Sequence, residues 1–125
     1  MGMEKHVLVV DDNPLNLELV GDLLELEGFR VTLLEDGVTA ISEARDSRPD
    51  LILMDLRMPG MSGLEAQQQL RSDATTREIP VIVLTASVMA GERERLLAAG
   101  FDGFMQKPID TLTFADQVRS FLPAS

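Results

Sequence analysis

Five short apolar runs, set apart by amphipathic stretches, constrain this chain more than any other feature of its sequence. The runs cover residues 6–10, 30–34, 51–54, 80–84 and 103–106, each of strand length. Most alternate too little for a sheet with one wet face, so they read as strands covered on both sides. The intervening stretches read as helices. Asn13 can cap the first, Pro14 suits its first position, and Gly28 follows its last turn. Leu19, Val20, Leu23 and Leu24 are its expected inward stripe. A second helix is expected over residues 37–46, with Val38, Ala40, Ile41 and Ala44 as its apolar residues. Ser62-Gly63-Leu64-Glu65 has capping-box form and opens the third. A fourth is expected over 87–99, ending at Gly100, and a fifth follows Asp110 through Leu112, Phe114, Ala115, Val118 and Phe121. Strands alternating with helices form βαβ units, and these build a parallel sheet of the α/β class.

At 125 residues the chain is expected to be one domain, residues 1–125 with an ordered core of about 5–123. It ends just after the fifth helix, so no output domain is expected. Without cysteine there is no thiolate metal site, thiol nucleophile or disulfide framework. No apolar run approaches bilayer length and no signal sequence opens the chain, which points to a soluble, cytoplasmic protein. The formal net charge is −10, from 21 acids and 11 bases, and neither Trp nor Tyr is present. Nucleic acid is therefore a poor partner, since phosphate binding needs a basic footprint and base stacking needs aromatic platforms. His6, at the start of the first strand, reads as a solvated residue rather than a ligand or catalyst.

In an open α/β sheet, ligands bind beyond the carboxyl ends of the strands. Here the first strand ends in Asp11-Asp12, the third in Asp55, the fourth in Thr85 and the fifth in Lys107-Pro108. Each has an ordinary reading when taken alone. Asp11-Asp12 could open a turn and cap a helix, Thr85 could be an N-cap, and Lys107 could be a loop lysine. Asp55 is harder to dismiss, because an acid among Leu51, Ile52, Leu53, Met54 and Leu56 is costly unless paired. Jointly they set three carboxylates, a hydroxyl and an ammonium along one edge. Such carboxylates repel one another unless a cation offsets them, and Mg²⁺ is the hard, oxygen-seeking counter-ion that also bridges to phosphoryl oxygens. A carboxylate can itself be the nucleophile and form an aspartyl-phosphate.

Val9-Val10-Asp11-Asp12-Asn13, the stretch from Met54 through Asp55, Arg57 and Pro59 to Gly63, Thr85-Ala86 and Lys107-Pro108 together identify a family. The sequence closely resembles the receiver domain of two-component response regulators over essentially its whole length. It looks most like the single-domain chemotaxis and cell-division regulators, and receivers of hybrid kinases have similar sequences. The resemblance implies a flavodoxin-like, doubly wound sheet of five parallel strands in the order 2-1-3-4-5, with five helices. It implies that Asp55 accepts a phosphoryl group, and that Asp11, Asp12, Asp55 and the Arg57 backbone carbonyl hold Mg²⁺. Lys107 would contact the phosphoryl group, with its bond to Pro108 cis. Thr85 would turn inward on phosphorylation, coupled to Phe104, which stands where many members have Tyr. The protein would be a switch that catalyses only its own phosphorylation and dephosphorylation.

The resemblance also implies two partner surfaces. A histidine kinase or histidine phosphotransfer protein would dock at the start of the first helix, on Pro14, Leu15 and Glu18. A downstream target would use the face of helix four, strand five and helix five, where Met89, Phe104 and Gln106 lie. Arg57, at the rim of the acceptor, is expected to affect the lifetime of the phosphorylated state. Two other readings stay in view. A haloacid-dehalogenase-type phosphatase also uses Asp, Thr and Lys at strand ends, but it needs a second acid two residues after its nucleophile, which Asp11-Asp12-Asn13 lacks. A phosphorylation-independent module would be expected to have lost pocket residues, and none is missing.

Overall fold

The computed structural model describes residues 4–86 and 91–122. The elements follow in strict alternation: β1 (His6–Val10), α1 (Pro14–Leu26), β2 (Arg30–Leu34), α2 (Gly37–Ser47), β3 (Leu51–Asp55), α3 (Gly63–Ser72), β4 (Val81–Thr85), α4 (Glu92–Ala98), β5 (Gly103–Gln106) and α5 (Phe114–Phe121). All five strands are parallel, in the order β2-β1-β3-β4-β5. The expected first turn of the fourth helix, and Met89 with it, lies outside the described residues.

Alternate residues of each strand face opposite sides of the sheet, and here both sides are covered. Leu8, Val10, Ile52, Met54, Val81 and Val83 meet Ala40, Ile41 and Ala44 of α2, Ala66 and Leu70 of α3, and Leu96 of α4. On the other side, Val7, Val9, Leu51, Leu53, Ile82 and Leu84 meet Leu17, Val20 and Leu24 of α1 and Phe114 and Val118 of α5. Two cores explain why β1, β3 and β4 are apolar at nearly every position. The edge strands β2 and β5 are half-open and correspondingly more polar.

Three local expectations change. The inward stripe of α1 is Leu17, Val20, Gly21 and Leu24, and Leu19 lies 39% exposed. The helix starts at Pro14 and its phase carries Leu19 outward, since the sequence offered two adjacent leucine stripes. On α2, Val38 likewise points to solvent. His6 is buried, not solvated. It opens a strand that lies between β2 and β3, so its neighbours cover it. The Thr32 hydroxyl lies 2.8 Å from Nε2 and the Arg30 guanidinium 3.2 Å from Nδ1, while the His6 N–H donates to Asp50. Burial, reinforced by the Arg30 charge, holds its pKa below the ordinary histidine value.

Candidate active site at the carboxyl edge of the sheet

The strand ends converge as the parallel topology requires. Asp11 leaves β1 with its N–H bonded to Leu34 O at 3.0 Å. Asp11 is buried, and its carboxylate accepts from the Asn13 N–H at 2.9 Å and the Asn16 side chain at 3.4 Å. Asn13 in turn caps α1, so the loop that aims Asp11 also starts the helix. Asp12 stays exposed beside it. Asp55 is the last residue of β3, buried, and paired in register with Leu84. Carboxylate oxygens of Asp11, Asp12 and Asp55 all lie within 4.8 Å of one another.

Lys107 supplies the opposing charge. Its N–H donates to Thr85 O at 2.7 Å, which ties the end of β5 to the end of β4. From there Nζ reaches Asp11 Oδ2 at 3.1 Å and Asp55 Oδ2 at 3.4 Å. The Lys107–Pro108 peptide bond is cis. A cleft of about 250 Å³ opens above, lined by Asp55, Leu56, Arg57, Thr85, Ala86 and Lys107. The Arg57 side chain is exposed at its rim, and Thr85 is buried in its wall.

Two of the sequence-derived groups lie apart from this cleft. Phe104 is half-buried on β5, packed against the core shared with α2, α3 and α4, and the Arg93 guanidinium of α4 sits 5.4 Å from its ring centroid. Pro14, Leu15 and Glu18 are exposed on the first turns of α1, with Leu15 at 75%. Gly63 enters the sequence reading only within the Ser62–Glu65 capping box and the family stretch, with no packing role, yet it packs on the backbone of Asp55 and Leu56 and donates its N–H to Leu56 O at 2.9 Å. The signal was there in principle, as a glycine directly after a capping serine, where most residues would serve a helix better.

The electrostatics leave Asp55 poised. Burial pushes its carboxyl above the usual range; Asp11 adds to the rise, and Lys107 and the Arg57 backbone oppose it. Three oxygen donors of net negative charge fit a hard divalent cation, which would relieve their repulsion. Without such a cation, ionised Asp55 weakens the fold. The folded carboxyl holds its proton to higher pH than the unfolded one, so stability is lost as pH rises from the unfolded value of about 3.9 through the folded one. In cation-free buffer, Asp55→Asn is therefore expected to melt a few degrees above the parent at pH 7. The gap should close by about pH 4. Thermal melts followed by circular dichroism at both pH values check this, and coincident midpoints at pH 7 would refute it.

Sequence and fold are shared with known proteins. The family described as the response regulator receiver domain matches residues 7–119. The polar-differentiation response regulator DivK of Brucella anthropi is 42% identical over 120 residues, covering 96% of this chain and 98% of that protein. The chemotaxis response regulator CheY4 of Vibrio cholerae superposes with a TM-score of 0.90 at 28% identity, covering 96% of this chain and all of its own. The receiver domain of a sensor histidine kinase from Pseudomonas aeruginosa PAO1 has a TM-score of 0.86 at 34% identity, covering 95% and 98%. That structure has a magnesium ion coordinated in its active-site cleft.

Proposed function

The chain belongs to the response regulator receiver domain family, a phosphoryl-accepting signalling switch, and from that premise we propose which residues carry the chemistry and which surfaces meet its partners. Asp55 is the acceptor. One of its carboxylate oxygens attacks the phosphorus of a phosphohistidine; the P–N bond breaks, a P–O bond forms, and the imidazole leaves with the electron pair and takes up a proton. Asp11, Asp12 and Asp55, with the Arg57 backbone carbonyl, would hold Mg²⁺. Bound there, Mg²⁺ would offset carboxylate repulsion and the negative charge of the transferring group. Lys107 contributes a point charge to the phosphoryl oxygens, and Thr85 donates a hydrogen bond to one of them.

The observation that carries this reading is the placement of Lys107 Nζ, which touches Asp11 and Asp55 at once while lining the cleft above them. A cation shared by two acids beneath an open cleft suits a group that arrives with its own negative charge. Receivers of this type interact with histidine kinases and with downstream targets. For this chain we assign the phosphohistidine donor, a histidine kinase or phosphotransfer protein, to Pro14, Leu15 and Glu18. The output we assign to the face of α4, β5 and α5, where Phe104 would respond to Thr85. We assign the switch to one domain over about residues 5–123; the match covers 98% of DivK.

The test is to incubate the protein with Mg²⁺ and either a small acyl phosphate or a phosphorylated histidine kinase and to measure intact mass. A base-labile gain of one phosphoryl group, lost in Asp55→Asn, is expected; an unmodified parent protein would end the proposal. Decay of the adduct in the parent and in Arg57→Ala reads self-dephosphorylation and the influence of the rim side chain on it.

A further inference from the structure

The outer edge of the sheet carries a surface that the acceptor cleft does not use. Between α1 and the edge strand β2 runs a groove of about 320 Å³. Gly21, Val31 and Leu33 lie along its apolar floor, and Glu18, Asp22, Glu25 and Glu35 ring it. Gly21 makes the floor possible. Glycine inside a helix costs about 1 kcal/mol relative to alanine, yet α1 has one here, and a Cβ on it would meet Leu33 Cδ1 at 3.1 Å. With only hydrogen at that position, Leu33 lies across the helix and is still 40% exposed.

The rim is acidic and unanswered. Among the described residues, no hydrogen bond or ion pair reaches any of the four carboxylates. The helix itself has neither Lys nor Arg. Glu18, Asp22 and Glu25 stand at i, i+4 and i+7, which places them in one row climbing about 10 Å along the axis.

We propose that this groove docks an amphipathic helix of a protein partner. That helix sets a leucine-sized side chain on Leu33 and Val31 and presents Lys or Arg, four and seven residues apart, to the acid row. Charge selects the occupant. A second copy of the chain would bring acids against acids in a protein of net charge −10, and nucleic acid would be repelled in the same way. Helices in contact lie about 8–10 Å apart, within reach of lysine side chains. Pro14 and Glu18 of its lining also belong to the face assigned to the phosphodonor, but no residue of the acceptor cleft lines it, so it does not rest on the chemistry at Asp55.

The experiment titrates the full-length, ¹⁵N-labelled protein with a designed amphipathic peptide carrying that Lys and Leu pattern, and with the same peptide carrying Glu for Lys. The expected amide shifts gather at residues 18–25 and 31–35, with no response to the Glu peptide. Asp22→Lys/Glu25→Lys should weaken binding about tenfold or more, and Leu33→Ser should weaken it while melting as a folded protein. Asp46→Lys/Glu78→Lys makes the same change in net charge on exposed acids elsewhere, and affinity there should stay within about twofold. Binding should persist in Asp55→Asn, so loss of the acceptor reading and loss of this one are separable. Shifts centred on another face, equal losses in the two double variants, or sedimentation showing a dimer closed through the groove would each overturn it.

Discussion

Lys107→Met is expected to destabilise the protein by about 2–3 kcal/mol at pH 7 in the absence of divalent cations. Methionine keeps most of the side-chain volume, so the loss isolates the charge. Lys107 Nζ touches both Asp11 and Asp55, whose side chains are 2% and 12% exposed. Without it, two nearly dry carboxylates face each other with Asp12 close by. Solvent reaches the lysine itself, at 19% exposure, which keeps the figure below that for a fully buried pair. The pH dependence gives the sign. Removing the cation raises the folded-state pKa of Asp55 further above its unfolded value, so the deficit grows as pH rises and shrinks towards about pH 4. Urea titrations at pH 4 and pH 7 measure it. The double variant Lys107→Met/Asp55→Asn should recover part of the loss, because one of the two stranded charges is gone. A pH-independent deficit, or no recovery in the double variant, would mean that packing rather than charge is what Lys107 provides.

The same lysine shows what a sequence exposes and what it hides. The uniform apolarity of β1, β3 and β4 announced strands buried on two faces, and the alternation with helices announced a parallel sheet. Parallel topology then brings every strand end to one edge, so Asp11, Asp12, Asp55, Thr85 and Lys107 could be placed together without knowing any side-chain direction. What failed depended on contacts between distant segments. His6 is buried because Arg30, Thr32 and Asp50 close over it, and none of these is its neighbour in sequence. Leu19 and Leu17 compete for the inside of α1, and helix phase settles it. Arg71 binds the carbonyls of Arg77, Ile79 and Gly100 and so ties α3 to the segment that leads into β4 and to the turn after α4. On the sequence it is one more charged residue in an amphipathic helix. Backbone approach is the least visible of all, since a glycine records only that something is missing.

Gly63 is where that matters most, and Gly63→Ala is expected to cost about 2–3 kcal/mol despite the better helix propensity of alanine. A Cβ there would stand 2.6 Å from the Asp55 carbonyl oxygen, 3.0 Å from Leu56 Cα and 3.2 Å from Leu56 O. All three are backbone atoms, so no side chain can swing aside. The helix cannot easily recoil either. The Ser62 side chain accepts from the Glu65 N–H and Glu65 accepts from the Ser62 N–H, which fixes the first turn of α3, while the Gly63 N–H holds Leu56 O at 2.9 Å. The strain must then move the end of β3, which is where Asp55 is displayed. Gly60→Ala provides the contrast. Gly60 has φ of +77° with nothing within 4 Å of a built Cβ, so alanine there meets only the left-handed backbone penalty of about 1 kcal/mol. Urea denaturation should rank Gly63→Ala well below Gly60→Ala, and Gly60→Ala below the parent. Mg²⁺ affinity measured by calorimetry should fall in Gly63→Ala and hold in Gly60→Ala, because only the first displaces a carboxylate of the acidic cluster. If Gly63→Ala proved as stable as Gly60→Ala, α3 would not be the element that fixes the position of Asp55.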